Sequence, residues 1–218
     1  MSDSFSTTSS PVVVVNRTPE SQQLMLEILT VATRLIRKKG ILGTTVEDLV
    51  EAVGIPKGTL YYHIGTKAEL LFRIHEHVTD EGFVRWQRVL EATRGESATT
   101  VLEKMIHEHC LIIEEYRDWV AVFTEEMKYL SPILQSQIKV RRIEYQQLLE
   151  SVLERGVEEG VFYDRPTHLT ASVIIGTLNS MYRWYSPDGR LGPRALGRLV
   201  SSVILNGVRF RTADEMSR

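Results

Sequence analysis

Apolar residues recur every three or four positions along most of the chain, which is the spacing of one face of an α-helix. The alternation of apolar and polar residues that is typical of strands is absent. An early helix carries this spacing from Leu24 to Ile36 and ends at Gly40. Glycines and prolines separate further helices, predicted at 67–94, 97–117, 119–130, 132–158, 167–186 and 193–211. The predicted fold class is all-α.

Capping signals mark the starts of the helices that lie between these two regions. A Thr followed three residues later by an acid occurs at Thr44–Glu47, Thr45–Asp48 and Thr66–Glu69. Of the two overlapping pairs, Thr44–Glu47 has the stronger capping-box signature. A short helix is therefore predicted to end at Gly54, and Pro56 is suited to open a second one that ends near Ile64.

Two short helices joined by a tight glycine turn and packed on a third helix make a helix-turn-helix. This motif needs apolar residues on both sides of the turn glycine, five residues before it and six after it. The chain supplies them at Val53, Ile55, Leu49 and Leu60. Val50 is larger than the small residue that usually lets the helices cross, and we expect it to be tolerated.

The segment GIPKGTLYYHIGTKAEL contains no acid before Glu69, so it suits a polyanion. Lysine and hydroxyl groups donate to phosphate oxygens, and an aromatic ring packs on a thymine methyl group. Gly58 permits close approach of the backbone, and Thr45 and Lys67 stand at helix starts that favour an anion. Residues predicted to contact duplex DNA are Thr45, Lys57, Gly58, Thr59, Tyr61, Tyr62, His63 and Lys67. We expect His63 to point outward with the two tyrosines, while Ile64 faces inward.

Composition limits the remaining classes of function. The formal net charge is -2 over 218 residues, so any DNA contact must come from a local patch. A single cysteine, Cys110, excludes an internal disulfide and indicates a reducing compartment. Residues 1–20 are rich in Ser and Thr and are predicted to form a flexible tail, and their valine run is too short for a membrane span. A soluble, cytoplasmic protein without a membrane partner is expected.

The stretch TTVEDLVEAVGIPKGTLYYHIGTKAEL resembles the DNA-binding unit of the tetracycline-repressor (TetR) family. The resemblance covers about residues 24–77, and Ile64 replaces the usual phenylalanine. It implies a homodimeric repressor that a ligand releases from DNA. Residues 21–66 are then the helix-turn-helix DNA-binding domain, and residues 67–218 form a larger helical domain for ligand binding and dimerisation.

The helical body contains scattered aromatic, methionine and polar side chains, as a mostly apolar ligand site would require. Predicted ligand-binding residues are His109, Phe123, Met127, Arg142, Tyr145, Leu178 and Tyr182. The segments ERGVEEGVF and MYRWYSPDGRLGPRALG resemble a subgroup of TetR repressors that regulates lipid or sterol breakdown and responds to acyl-CoA thioesters. An apolar drug or metabolite, as in efflux regulators, is the alternative inducer, and a helical interaction module without a ligand is the third possibility.

The last two helices combine small residues with apolar stripes. The small residues are Gly176, Ser180, Gly197 and Ser201, and the stripes run through Leu169, Val173, Leu196, Leu199, Val200, Val203, Ile204 and Val208. Small residues let helices approach closely. In the resembled family these helices form a four-helix dimer interface, whereas an internal core is the alternative.

Enzyme and metal signatures are missing from the sequence. The pairs His75/His77 and His107/His109 are two residues apart, which places them on different faces of a helix. No Glu-x-x-His, HExxH, Walker loop or nucleophile elbow occurs. We therefore expect no catalytic activity, no metal and no cofactor.

Overall fold

The computed structural model describes residues 18–186 and 188–208, which form nine α-helices and one 3-10 turn. The helices are α1 Pro19–Gly43, α2 Val46–Val53, α3 Lys57–Ile64, α4 Lys67–Ala92, α5 Ala98–Glu115, α6 Arg117–Glu126, α7 Pro132–Glu158, α8 Thr167–Trp184 and α9 Pro193–Val208. The predicted all-α class is confirmed. The segment expected at 119–130 instead begins two residues earlier and ends in a 3-10 turn at Met127–Tyr129. The predicted residues 209–211 of the last helix, and residues 1–17 of the predicted tail, lie outside the described residues.

Side-chain caps fix where the first helices start. Thr18 accepts from the Ser21 amide, so α1 already includes the last two residues of the predicted tail, Pro19 and Glu20. The helical geometry of α1 breaks at Gly40, whose φ of 70° is left-handed. Three residues later the chain leaves α1 for the short helices.

The prediction that Thr44 and Glu47 form the capping box of α2 was wrong. The true box is Thr45–Asp48, in which the Thr45 hydroxyl accepts from the Asp48 amide and Asp48 accepts from the Thr45 amide. Thr44 is buried, and its hydroxyl donates to the Gly40 carbonyl in the last turn of α1. A hydroxyl that satisfies the preceding helix is not free to cap the next one.

The turn between α2 and α3 has the expected glycine geometry. Gly54 has φ 76°, and its amide donates to the Val50 carbonyl. Leu49 and Leu60, one on each side of the turn, are fully buried against α1 and α4. A second complete capping box, Thr66–Glu69, begins α4. These features confirm the predicted helix-turn-helix.

Two apolar cores organise the described residues. The larger one lies among α4, α5, α6, α7, α8 and α9 and is built around the fully buried Trp86. The smaller one holds the buried faces of α1, α2 and α3, but it also includes Ile74 of α4, Trp119 of α6 and Ile138 of α7. This second core therefore crosses the position at which the sequence suggested a boundary between domains.

Gly82 is buried in the middle of α4 at a close contact with α7. A methyl group placed on it would lie 3.3 Å from both the hydroxyl oxygen and a ring carbon of Tyr145. The helix is continuous through this position. This glycine therefore allows α4 and α7 to approach closely and does not bend α4.

Candidate functional site

The outer face of α3 exposes two aromatic rings beside a lysine. Tyr62 is 74% exposed and Tyr61 is 46% exposed. Lys57 and Gly58 are also exposed, and no atom lies within 4 Å of a methyl group placed on Gly58. Thr59 is half-buried. This face can therefore enter a groove with hydroxyl, ammonium and ring groups, and its glycine end can approach a surface closely.

His63 was predicted to point outward, and this was wrong. Its side chain is 6% exposed, because it shares the inward face with Leu60 and Ile64. The spacing i, i+3 and i+4 of these three residues could have shown this. Its ring meets the Tyr62 ring edge-on, with 5.3 Å between centroids. The histidine thus packs behind the exposed tyrosine.

Two helix starts lie next to this face. Thr45 caps α2 and is exposed, while Lys67 is the first residue of α4 and is half-buried. Each capping box pairs two amides at its helix start, and the remaining first-turn amides and the positive end of the dipole favour an anion at both positions. The predicted DNA-contact residues other than His63 all belong to the outer face of α3 or to these two helix starts.

An acid that sequence reasoning missed reaches the lysine of α3. Glu47 of α2 accepts a hydrogen bond from Lys57, with 2.7 Å between Oε1 and Nζ. This bond raises the pKa of Lys57 and lowers the pKa of Glu47. A second pair, Lys39–Asp48, lowers the pKa of the Asp48 carboxyl, chiefly through the hydrogen bond from Lys39. The exposed surface of the helix-turn-helix is therefore not acid-free.

An interior cavity of about 70 Å³ lies within the helical body. It is lined from α4, α5, α6, α7 and α8 by Val78, Thr79, Gly82, His109, Ile112, Val120, Phe123, Arg142, Tyr145, Gln146, Ile175 and Asn179. Four predicted ligand residues, His109, Phe123, Arg142 and Tyr145, therefore share one space. Sequence reasoning missed Asn179, although a lone amide in the apolar run IIGTLNSMY was a usable signal.

Three of the predicted ligand residues do not line this cavity. Met127 belongs to the 3-10 turn and packs against the smaller core. Leu178 and Tyr182 are buried in the larger core. Both lie on α8 close to Asn179, which lines the cavity in their place. Apolar spacing identified the correct helix but not which of its faces meets the cavity.

A polar chain crosses the inner wall of the cavity. His109 is buried, with Nδ1 3.1 Å from the Tyr145 hydroxyl and Nε2 3.1 Å from Asn179 Oδ1. Burial lowers the pKa of His109 to about 4 and holds the pKa of Tyr145 well above its usual value. Both groups are therefore neutral at pH 7. The Trp86 ring stacks on Tyr145 with centroids 4.1 Å apart and supports it from behind.

The outer end of the cavity is formed by Phe123 and Arg142. The Arg142 guanidinium lies 5.8 Å from the centre of the Phe123 ring, and its side chain is exposed. No described carboxylate is within ion-pair distance of it. The Phe123 ring also packs 4.1 Å from that of His75, whose pKa falls to about 3 through burial and then through the Arg142 charge. A cation without an ion-pair partner among the described residues therefore stands at the mouth.

The last two helices divide their apolar residues between two faces. Leu196, Val200 and Ile204 are buried inside the chain. Gly197 also faces inward, because a methyl group there would collide with the His107 ring. The outward face is distinct and strongly exposed, and it comprises Leu169, Val173, Trp184, Leu199 and Val203. The predicted stripes thus divide into an internal core and a separate external patch.

Other kinds of site find no support in the part of the chain that the structure describes. No group of three or more His, Cys, Asp or Glu side chains there could hold a metal ion. Over the same residues, no helix is both long enough and apolar enough to cross a bilayer. Cys110 is buried, and burial raises the pKa of its thiol to about 12, which leaves it unreactive.

Two family models match the chain over these same regions. The model for bacterial regulatory proteins of the tetR family covers residues 28–74, and the tetracyclin repressor-like C-terminal domain covers residues 95–208. The chain belongs to the TetR family of transcriptional regulators. The predicted family is thereby confirmed, and the helix-turn-helix is a DNA-binding unit.

Relatives of known name extend this assignment. The HTH-type transcriptional repressor KstR2 of Mycolicibacterium smegmatis is 28% identical over 194 residues, covering 87% of this chain and 92% of the relative. The crystal structure of PfmR, a TetR family regulator from Thermus thermophilus, is 30% identical with a TM-score of 0.75, covering 82% of this chain and 97% of that one. These relatives are transcriptional regulators, in agreement with the expectation that the chain is not an enzyme.

The same fold occurs in AibR, which was solved in complex with isovaleryl coenzyme A and operator DNA. Its identity to this chain is 23% and its TM-score is 0.69, covering 84% of this chain and 97% of that one. At this identity the likeness shows the fold alone.

Proposed function

We propose that this regulator is a repressor that binds a near-palindromic operator as a homodimer and leaves it when a small molecule enters the helical body. The observation that carries the proposal is the outer face of α3, where Tyr61 and Tyr62 stand exposed between two capped helix starts. Residues 21–66 then form the reading head, and residues 67–218 form the ligand and dimerisation body.

The residues of the reading head divide by chemistry. Thr45, Lys57 and Lys67 suit phosphate, because hydroxyl, ammonium and helix N-termini all bind anions. Tyr61, Tyr62 and Thr59 suit base edges and thymine methyl groups in the major groove. His63 supports Tyr62 from the buried side and makes no direct contact with DNA in this proposal.

Dimerisation uses the outward face of α8 and α9. Leu169, Val173, Leu199 and Val203 are each more than half exposed, and Gly176 and Ser180 lie near them on α8. Such a patch needs a partner, and the small residues let a second helix approach closely. A second copy of the chain forms a self-complementary four-helix seam there and fixes the distance between two reading heads.

The inducer enters the cavity behind Phe123. A volume of about 70 Å³ holds only a few water molecules, so the structure represents a closed form that must widen to admit a ligand. The ligand acts by binding the widened form more tightly than the closed one. An acyl-CoA thioester fits a cavity with an apolar lining and a cation at its mouth, and binding of isovaleryl coenzyme A by AibR, a protein of the same fold, supports that choice.

Helix α6 links the cavity to the reading head. Phe123 lines the cavity, and the two acids that follow it on α6 contact α1. Glu125 accepts a hydrogen bond from Arg37, and Glu126 accepts one from the Ile41 amide at 3.4 Å. A ligand that displaces Phe123 therefore pulls on the end of α1, which belongs to the reading head. A coupling of about 1–3 kcal/mol gives a roughly 5- to 150-fold loss of operator affinity.

The DNA part is tested by selecting sites from a random duplex library with the purified protein. A near-palindrome with fixed half-site spacing is expected. Lys67→Ala should weaken binding to all sequences about equally, and it should reduce the dependence of log affinity on log salt concentration by about one. Lys139→Ala, at an exposed lysine on α7, serves as the control. Recovery of no preferred sequence, together with unchanged affinity for a Lys57/Tyr61/Lys67 triple alanine variant, would refute the proposal.

The inducer is tested by titrating the operator complex with acyl-CoA thioesters, free fatty acids and hydrophobic drugs while following fluorescence anisotropy. Release by thioesters supports the lipid-responsive form. Release by drugs or free acids alone would instead support the efflux-type alternative, which the apolar cavity lining also permits. Release by none of them would favour a helical interaction module.

A further inference from the structure

The polar chain in the cavity has a fixed direction. Asn179 Oδ1 can only accept, so His109 donates from Nε2. A neutral imidazole then has an acceptor at Nδ1, and the Tyr145 hydroxyl donates to it. This chain of hydrogen bonds runs from Tyr145 through His109 to Asn179, and it uses the single hydroxyl hydrogen of the tyrosine.

The direction of these hydrogen bonds determines which donor and acceptor groups of the cavity wall remain available to a ligand. The Tyr145 oxygen keeps lone pairs that can accept, and Asn179 Nδ2, which bonds no described residue, can donate. An acceptor and a donor therefore both line this wall, which an amide or a hydroxyl group could use together, whereas a carbonyl group could use only the Asn179 donor. No acid lines the cavity to balance a buried cation. A buried anion would lose its water and face the electron-rich oxygen of Tyr145.

Charge is placed only at the mouth. Arg142 precedes Tyr145 by three residues on α7, so the two side chains lie on the same face of that helix about one turn apart. Arg141, the adjacent residue, differs in that it is already held by Asp80 at 2.6 Å and Glu144 at 2.9 Å. Arg142 is thus the cation that can meet a ligand at the cavity.

We propose that this cavity selects a ligand with two parts, an uncharged hydrogen-bonding group seated against Tyr145 and Asn179 and an anionic group held by Arg142 at the mouth. The proposal deepens the ligand site of the proposed function and rests on it only for the choice of cavity. Phe123 lines the same cavity, with its ring centre 5.8 Å from the Arg142 guanidinium, and in this proposal it moves when the cavity widens.

The test compares two probes with one acyl group, octanoyl-CoA and the uncharged S-octanoyl-N-acetylcysteamine, by calorimetry without DNA. Arg142→Gln should weaken the binding of octanoyl-CoA about 10-fold and the binding of the uncharged thioester less than about 2-fold. Arg141→Gln, the matched control, should change neither by more than about 2-fold. Tyr145→Phe and Asn179→Ala should each weaken both probes by about the same factor, and thermal unfolding of each variant confirms that it is folded.

Three outcomes overturn the proposal. They are equal weakening of both probes by Arg142→Gln, loss confined to the charged probe for the folded Asn179 variant, and failure of both probes to bind. Since the assay contains no DNA, its result is separate from repression. Binding of the probes without release of the operator would leave the two-part site standing and reject the proposed mode of induction.

Discussion

Arg37 Nη1 lies 2.7 Å from Glu125 Oε2, and this hydrogen-bonded ion pair joins the last regular turns of α1 to α6. Its arginine also approaches Asp118, with Nε 3.5 Å from the carboxylate. The pair lies between α1, the first helix of the reading head, and α6, which lines the cavity. In the proposed mechanism this pair transmits a displacement of Phe123 to the DNA-binding unit.

Glu125→Gln should loosen this connection. Partly exposed pairs of this kind contribute about 0.2–1 kcal/mol, so operator affinity should fall by no more than about 5-fold. Amide hydrogen exchange near Ile41 should become faster, because the end of α1 loses its support. Glu96→Gln, which breaks the Lys104–Glu96 pair elsewhere in the body, is the control and should leave exchange at Ile41 unchanged. An unchanged exchange rate in the Glu125 variant would contradict a linking role.

Glu47→Gln should increase affinity for duplex DNA of every sequence. The substitution removes a negative charge from the DNA-facing surface and frees Lys57 from its 2.7 Å bond. A plot of the logarithm of the binding constant against the logarithm of the salt concentration should become steeper by about one, as for one more phosphate contact. Discrimination between specific and random sequences should fall. Glu27→Gln on α1 is a control acid. Weaker binding by the Glu47 variant would show that the pair orders Lys57 for DNA instead of competing with it.

Leu199→Glu with Val203→Glu should give a folded monomer. Both side chains are exposed, at 51% and 66%, so the charges remain hydrated in the monomer but would be buried in a dimer seam. Analytical ultracentrifugation should show half the mass, and operator affinity should drop at least about 100-fold as two reading heads no longer bind together.

Val200→Glu is the informative contrast. Val200 is buried within its own chain, so a charge there should destabilise folding by at least about 2 kcal/mol, seen as a lower urea midpoint. A double variant at 199 and 203 that remains dimeric would place the interface elsewhere.

Stability should decrease as the pH falls from about 7.5 to about 5.5. His109 and His75 have folded-state pKa values of about 4 and about 3, below the ordinary value of 6.5. Below pH 6.5 these histidines therefore bind protons in the unfolded chain but not in the folded chain. As the pH falls from there toward the folded-state pKa values, the free energy of unfolding decreases. Urea unfolding of His109→Gln should show a shallower decrease than the wild type. An equal slope in both proteins would mean that His109 is accessible to protons when folded.

The helices and the motif could be predicted from the sequence because both depend on local signals. The Thr66–Glu69 cap, the Gly54 turn and the spacing around Leu60 each act within a few residues. Errors arose where two local signals competed. Thr44 and Thr45 both match a cap, and only the packing of Thr44 against α1 decides between them.

The faces of the body helices could not be predicted in the same way. Helix α9 is apolar on two sides, and periodicity alone cannot tell the side that packs on α5 from the side left exposed at Leu199. The same difficulty misplaced Leu178 and Tyr182 in the ligand site, whereas Met127 was misplaced because α6 ends before it. His109 and Tyr145 do line the cavity, since a polar group on an otherwise buried stripe needs a partner within the fold.

The smaller core has a consequence for anyone who builds hybrid sensors from this protein. Exchanging residues 21–66 for another reading head would cut through packed side chains, because Ile74, Trp119 and Ile138 complete that head from the body. A workable graft would have to transfer the start of α4 and the matching surfaces of α6 and α7 as well. The helix-turn-helix and the helical body should therefore be exchanged as one unit, because a junction at the start of α4 would disrupt the core that they share.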